Sequence, residues 1–130
     1  ESVLLGRKGT IDRPVYVNNA FWTVDTMFWT KFRPGINVKF VYYWATTLPY
    51  KLFTTSTALP SMTGAELKNM PIDVPPLLIQ NEIVEFLDEK LASIDRLIGN
   101  AERFLDLAKE RRQGLISAAV TGKIDVLGKN

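Results

Sequence analysis

Residues 84–119 read VEFLDEKLASIDRLIGNAERFLDLAKERRQGLISAA, and the spacing of their apolar side chains sets the architecture. Val84, Leu87, Leu91, Ile94, Ile98, Ala101, Leu105, Ala108, Arg112, Leu115 and Ala119 follow one another at alternating intervals of three and four. This is the seam of an α-helix that packs against another helix. Ten of its eleven positions are apolar. At ~1.5 Å rise per residue the helix is roughly 50 Å long. A helix takes most of its stability from a packed partner, so the seam predicts a second helix, from another chain or from a part of the protein outside this sequence. Gly99 and Gly114 each cost about 1 kcal/mol in a helix interior, yet the apolar phase runs through both. A turn at Gly99-Asn100 that makes two shorter helices is the alternative. Arg112, the polar member of the seam, either snorkels or sets register against an acidic group of the partner.

Around this helix the chain falls into two chemically different parts that meet at Pro75-Pro76. Residues 1–76 hold all seven prolines, twelve of the fourteen aromatics, and eight Lys/Arg against five Asp/Glu. Residues 77–130 hold no proline, two aromatics, and eight Lys/Arg against nine Asp/Glu. The expected organisation is a small turn-rich module over 1–76, a helical region over 77–122 and a short tail over 123–130. With 130 residues, the chain fits one small domain plus an appended element. No run of about 18 apolar residues is present, which excludes a transmembrane helix. Cys and His are both absent, which removes disulfides, thiolate or imidazole metal sites and Ser/His or Cys/His nucleophile pairs. The opening Glu1-Ser2-Val3-Leu4-Leu5 has neither an initiator Met nor a basic stretch, and reads as a continuation of a preceding segment, not a signal peptide.

Within the first part, residues 3–5 are expected to form a strand that the glycines of Gly6-Arg7-Lys8-Gly9 turn back, with Arg7 and Lys8 at the tip. Residues 13–17 are rich in strand formers. Residues 21–29 alternate, with Trp22, Val24, Thr26 and Phe28 on one face, and complete a β-meander. Asn37 caps a helix over 38–48 whose Phe40, Tyr43 and Trp44 recur at helical spacing. Thr63-Gly64-Ala65-Glu66 is a capping box opening a short helix, and residues 72–74 read as a last strand. The fold class is α+β: a small mixed domain followed by a long coiled-coil-forming helix. Phe21, Trp22, Phe28, Phe40 and Trp44 fall at strand or helix periodicity and are assigned to the core.

Catalytic chemistry finds little support. Asp73-Val74-Pro75-Pro76-Leu77 is similar in outline to the Asp-Pro-Pro-Tyr loop of amino-methyltransferases, but its spacing differs and the aromatic is missing. A proline joint between strand and helix accounts for it. Carboxylate pairs such as Asp88 with Glu89 and Glu82 with Glu85 lie on the helical part, where charges usually form a solvated face. The cations Arg7, Lys8, Arg13, Lys31, Arg33, Lys39 and Lys51 share the first part with Tyr, Trp, Ser, Thr and Asn, a mixture suited to phosphates and base edges and equally to an ordinary soluble surface. The hydroxyl-rich Thr54-Thr55-Ser56-Thr57 stretch is open in the same way. Charge and turn logic select Arg7, Lys8 and Arg13 near the first turn, and Lys51, Thr55 and Ser56 in a later loop, as candidate DNA contacts. Leu87, Leu91, Ile94, Ile98, Leu105, Arg112 and Leu115 are the candidate helix-pairing residues.

Pro75-Pro76-Leu77, Gln80, Ile83, Phe86-Leu87-Asp88, Ile94-Asp95, Lys109-Glu110-Arg111, Leu115-Ile116 and the stretch from Ala119 through Thr121-Gly122-Lys123 to Asp125 resemble, in order, the DNA-specificity subunit of type I restriction-modification enzymes. Upstream, the Val3-Leu4-Leu5-Gly6-Arg7-Lys8-Gly9-Thr10-Ile11 stretch, Phe40-Val41-Tyr42-Tyr43-Trp44, and Ala58 to Thr63 resemble the later part of that family's target recognition domain, with departures at Asp12 and Ile79. The resemblance implies two recognition domains per complete subunit, each reading half of a split site in double-stranded DNA. It also implies long helices paired antiparallel as a spacer, and half-subunits that restore the arrangement as homodimers. Such a subunit has no activity and binds no cofactor itself. It directs a methyltransferase subunit that uses S-adenosylmethionine and a restriction subunit that uses ATP, in the cytoplasm of a bacterium or archaeon with no membrane partner. A coiled-coil assembly module with a protein-binding head is the alternative.

Overall fold

The computed structural model describes residues 1–53, 60–124 and 128, and the chain divides into two compact units, Glu1–Phe86 and Leu87–Asn130. The first unit is built on an antiparallel sheet of β1 (Ser2–Gly6), β2 (Val15–Val17) and β3 (Met27–Trp29) in the order β2-β1-β3. Leu4 stands opposite Val15 on one side and Trp29 on the other. Val3, Leu4 and Leu5 form a continuous apolar triplet, all buried, as a strand covered on both faces requires. On one face Val3 and Leu5, with Tyr16 and Phe28 beside them, pack against Val38, Ala45 and Trp44 of α1 (Val38–Thr46). Each fully buried aliphatic side chain of this kind contributes roughly 1.5–3 kcal/mol.

Local chemistry starts each helix. The Asn37 side chain accepts hydrogen bonds from the Lys39 and Phe40 backbone N–H groups at 2.9 and 3.1 Å, a cap worth about 1 kcal/mol. Thr63 opens α2 (Gly64–Lys68) with a complete capping box: its Oγ1 accepts from the Glu66 N–H at 3.2 Å while Glu66 Oε2 accepts from the Thr63 N–H at 2.6 Å. A second small core gathers Ile11, Tyr50 and Met62. The phenol of Tyr50, in the 3-10 turn Tyr50–Phe53, donates to the Ala45 carbonyl at 2.8 Å and ties that turn to the end of α1.

The long helix α3 (Leu77–Val120) starts at the proline joint inside the first unit. Gln80, 1% exposed, fixes that start. Its Oε1 accepts from the Asn37 N–H at 2.8 Å, and its Nε2 donates to the Pro75 and Gly35 carbonyls at 2.8 and 3.3 Å. Asn37 Nδ2 in turn donates to Asn81 Oδ1 at 2.8 Å, so the first turns of α1 and α3 are joined by a satisfied polar cluster. In the second unit α3 runs through Gly99 and Gly114 without a break. The continuous-helix reading therefore holds, and the turn at Gly99-Asn100 does not form. A Cβ at either glycine would meet open space, with nothing within 4 Å.

Three expectations for the first unit are corrected. The strands do not form a meander, because β1 lies in the centre of the sheet: it is the strand apolar enough to be covered on both faces, and the eight residues after it are engaged elsewhere. β1 is turned back into its antiparallel neighbour β2 as expected, but in that connection the Gly9 N–H donates to the Pro60 carbonyl, Met62 N–H to the Arg7 carbonyl, and Lys8 bridges Ser61, so Arg7 and Lys8 are not at a free hairpin tip. The strand expected over 21–29 is limited to Met27–Trp29, since β1 offers partners only from Leu4 to Gly6 on that side. Phe21 and Trp22 consequently leave the core, and Trp22 is 95% exposed. Residues 72–74 form no strand, for prolines at 71, 75 and 76 bracket them and remove ladder donors.

Candidate nucleic-acid interface

The sheet has one face covered by α1 and a second face on which alternation places Leu4, Gly6, Val15, Met27 and Trp29. Gly6 lies under the loop that follows β1. A Cβ there would collide with the Thr10 carbonyl oxygen, so glycine is what allows the loop to fold back. Gly9 completes the turn at φ 80°, a conformation that side chains disfavour. The folded-back loop brings Lys8, Thr10 and Arg13 around a shallow groove whose other wall includes Thr26 and Met27. Two cations and two threonines thus line one groove beside Gly6, a set of side chains suited to phosphate oxygens.

The other candidates lie elsewhere. Arg7 is exposed, with its guanidinium 6.0 Å from the centroid of the Phe28 ring, whose strand position is on the α1 side of the sheet. Lys51 is exposed on the 3-10 turn after α1. Thr55 and Ser56 lie outside the described residues. Next to the groove, Phe21, Trp22, Thr23 and Trp29 line a cleft of their own. Beyond it Lys31 and Arg33 line another, together with Phe21 and Trp29. Sequence periodicity had assigned Phe21 and Trp22 to the core; what marks them as surface is that the alternating run is longer than the strand available to pair with it.

A fourth, partly open space of about 430 Å³ lies between the sheet, α1 and α2. Thr30 and Lys68 are the polar members of an otherwise aliphatic and aromatic lining, so it reads as loosely filled core. Perturbed titratable groups of the first unit include Glu66 and Tyr50. Thr63 hydrogen bonds hold the Glu66 carboxyl below its ordinary value. Burial pushes the Tyr50 phenol up, with the Asp12 carboxylate adding to it.

Along the second unit the pairing candidates Leu91, Ile94, Ile98, Leu105, Arg112 and Leu115 are exposed, and Leu87 is half-buried. Leu97 and Phe104, 67% and 72% exposed, flank the seam, three residues on from Ile94 and Ala101. The apolar face is therefore broader than the narrow stripe of a two-stranded coil. Its surface ion pairs, such as Lys109 with Asp106 at 3.2 Å, contribute little to stability.

Residues 1–100 match the model of the type I restriction modification DNA specificity domain. The chain belongs to that family. Its curated relatives include a type I restriction enzyme specificity subunit from Haemophilus influenzae, 31% identical over 68 residues, or 52% of this chain and 18% of the relative. The EcoBI specificity subunit of Escherichia coli is 32% identical over 71 residues, or 55% of this chain and 15% of its own length. The chain thus aligns with less than a fifth of either specificity subunit. No solved structure matches it. Among the described residues, the grooved second face of the sheet and the broad apolar face of α3 are features that the folding of each unit leaves unexplained. No helix among the described residues is long and apolar enough to cross a membrane.

Proposed function

We propose that the chain is a DNA sequence-recognition subunit, or half-subunit, of a type I restriction-modification complex, itself without catalytic activity. Residues 1–76 read one half of a bipartite duplex target. The helix over 77–122 pairs with a second helix as a spacer and docks a methyltransferase subunit. S-adenosylmethionine and ATP belong to the methyltransferase and restriction subunits of that complex, which works in the cytoplasm. The observation that carries the reading is the groove in the family-matched unit that Lys8 and Arg13 line together with Thr10 and Thr26. Phosphate contacts from such cations fix register without reading sequence. Replacing Lys8 and Arg13 together by Ala is expected to weaken duplex binding on every sequence and to lower the slope of log affinity against log salt by about 2. Unchanged affinity and slope would remove these residues from the interface.

A second reading has one observation in its favour. Exposed Trp22, beside Phe21 and Trp29, is the residue type that anchors protein interfaces, which fits a coiled-coil assembly module whose head binds protein. That reading expects no shift of duplex DNA and a weak response to salt.

A further inference from the structure

The linker between β2 and β3 carries more than its structural task requires. β2 ends opposite Ser2, whereas β3 begins opposite Gly6 on the other side of β1, so residues 18–26 must cross β1. With α1 against Val3 and Leu5, the crossing runs over the second face, where Leu4 is buried. Phe21, 40% exposed, lines a cleft with Glu1 and Ser2 and so keeps part of its ring out of water. Trp22 does not. It is 95% exposed, and an indole in water forfeits the favourable transfer of a large apolar side chain. The same linker exposes Asn18 and Asn19. Cations lie on both sides of it: Lys8 and Arg13 in the groove that Thr26 shares, and Lys31 and Arg33 in the cleft that Phe21 shares. None of these four is in an ion pair among the described residues, and Glu1 is the one acid in either lining.

We infer that residues 18–24 form a base-reading loop for duplex DNA, with Trp22 packed against bases, Asn18 and Asn19 at base edges, and the flanking cations on phosphates. This inference rests on the DNA reading above and adds the residues that discriminate sequence. Protein interfaces are depleted of charge at their centre, whereas here an aromatic centre sits between unpaired cations, the complement of a polyanion. Asn amides match the adenine edge in the major groove. An indole stacks on an unstacked base or wedges between base steps.

The test is selection of the full chain, its W22A variant and its N18A/N19A variant on a duplex pool with about 20 randomised base pairs at low salt, with affinities measured by anisotropy. Because these three side chains are exposed, both variants should keep the parent's thermal transition. The parent is expected to enrich a motif. W22A should bind about 5- to 140-fold more weakly, the range of one lost base–aromatic contact, and N18A/N19A should lose preference at one or two positions while the rest of the motif persists. A motif and affinity unchanged in both variants would overturn the loop assignment and leave DNA binding standing. No binding of the pool by the parent would overturn the DNA reading itself and the loop with it. Retained duplex binding with W22A defective only in capturing a protein partner would assign the aromatic face to protein.

Discussion

Gln80 spends its side-chain carbonyl on Asn37 and its amide hydrogens on Pro75 and Gly35, joining segments more than forty residues apart in the chain. Truncating it leaves a part-buried N–H and two part-buried carbonyls without this partner, so Gln80→Ala is expected to destabilise the first unit by about 1–3 kcal/mol, read as a lower urea midpoint. An unchanged midpoint would mean that the cluster is not needed. Glu66 gives a pH signature. Its folded pKa lies below the ordinary value because Thr63 donates to the carboxylate, so the capping box contributes stability above that ordinary value and loses it as pH falls through the depressed one. Glu66→Gln should flatten this acid limb of the stability profile, and a limb identical to the parent's would contradict the assignment. The caps at Asn37 and Thr63 were legible in the sequence because each is satisfied within three residues. The role of Gln80 was not, since two of its three partners, Asn37 and Gly35, lie more than forty residues away, and Trp22 was misread because alternation alone does not show how much strand there is to pair with.

At the scale of elements, α3 was legible throughout its seam, and the structure decides what propensity left open at Gly99. Open space surrounds a Cβ at Gly99 and at Gly114. Gly99→Ala and Gly114→Ala should therefore each stabilise the helix by about 1 kcal/mol, measured as a rise in thermal midpoint with helicity retained. A fall would show that a close neighbour in the assembled protein needs the glycine. The order of the sheet was less legible. The turn at Gly6 and Gly9 does reverse β1 into β2, but alternation over 21–29 favoured a meander, while the consecutive apolar residues Val3, Leu4 and Leu5 suit a central strand covered on both sides. The second signal won, because burying three large side chains outweighs a preference for short connections. Residues 18–26 then had to become a crossing, and a crossing exposes side chains that a paired strand would have hidden.

At the scale of the whole molecule, the account rests on two surfaces. The helix face of Leu91, Ile98, Leu105 and Leu115, widened by Leu97 and Phe104, is expected to be covered by at least one further helix, because solvated apolar area of this extent is costly. Light scattering should show a dimer, or a complex with a methyltransferase subunit, that Leu91→Lys with Leu105→Lys abolishes. An unchanged mass in that variant would contradict the helix pairing. The sheet face with Lys8, Arg13 and the 18–24 loop carries the central claim, and its most direct test is titration of the full chain with duplex DNA across a series of salt concentrations. The account expects binding at low salt that weakens steeply and linearly on a log–log plot, with a slope set by the number of phosphates contacted. Absence of binding at about 50 mM salt, or an affinity indifferent to salt, would contradict it.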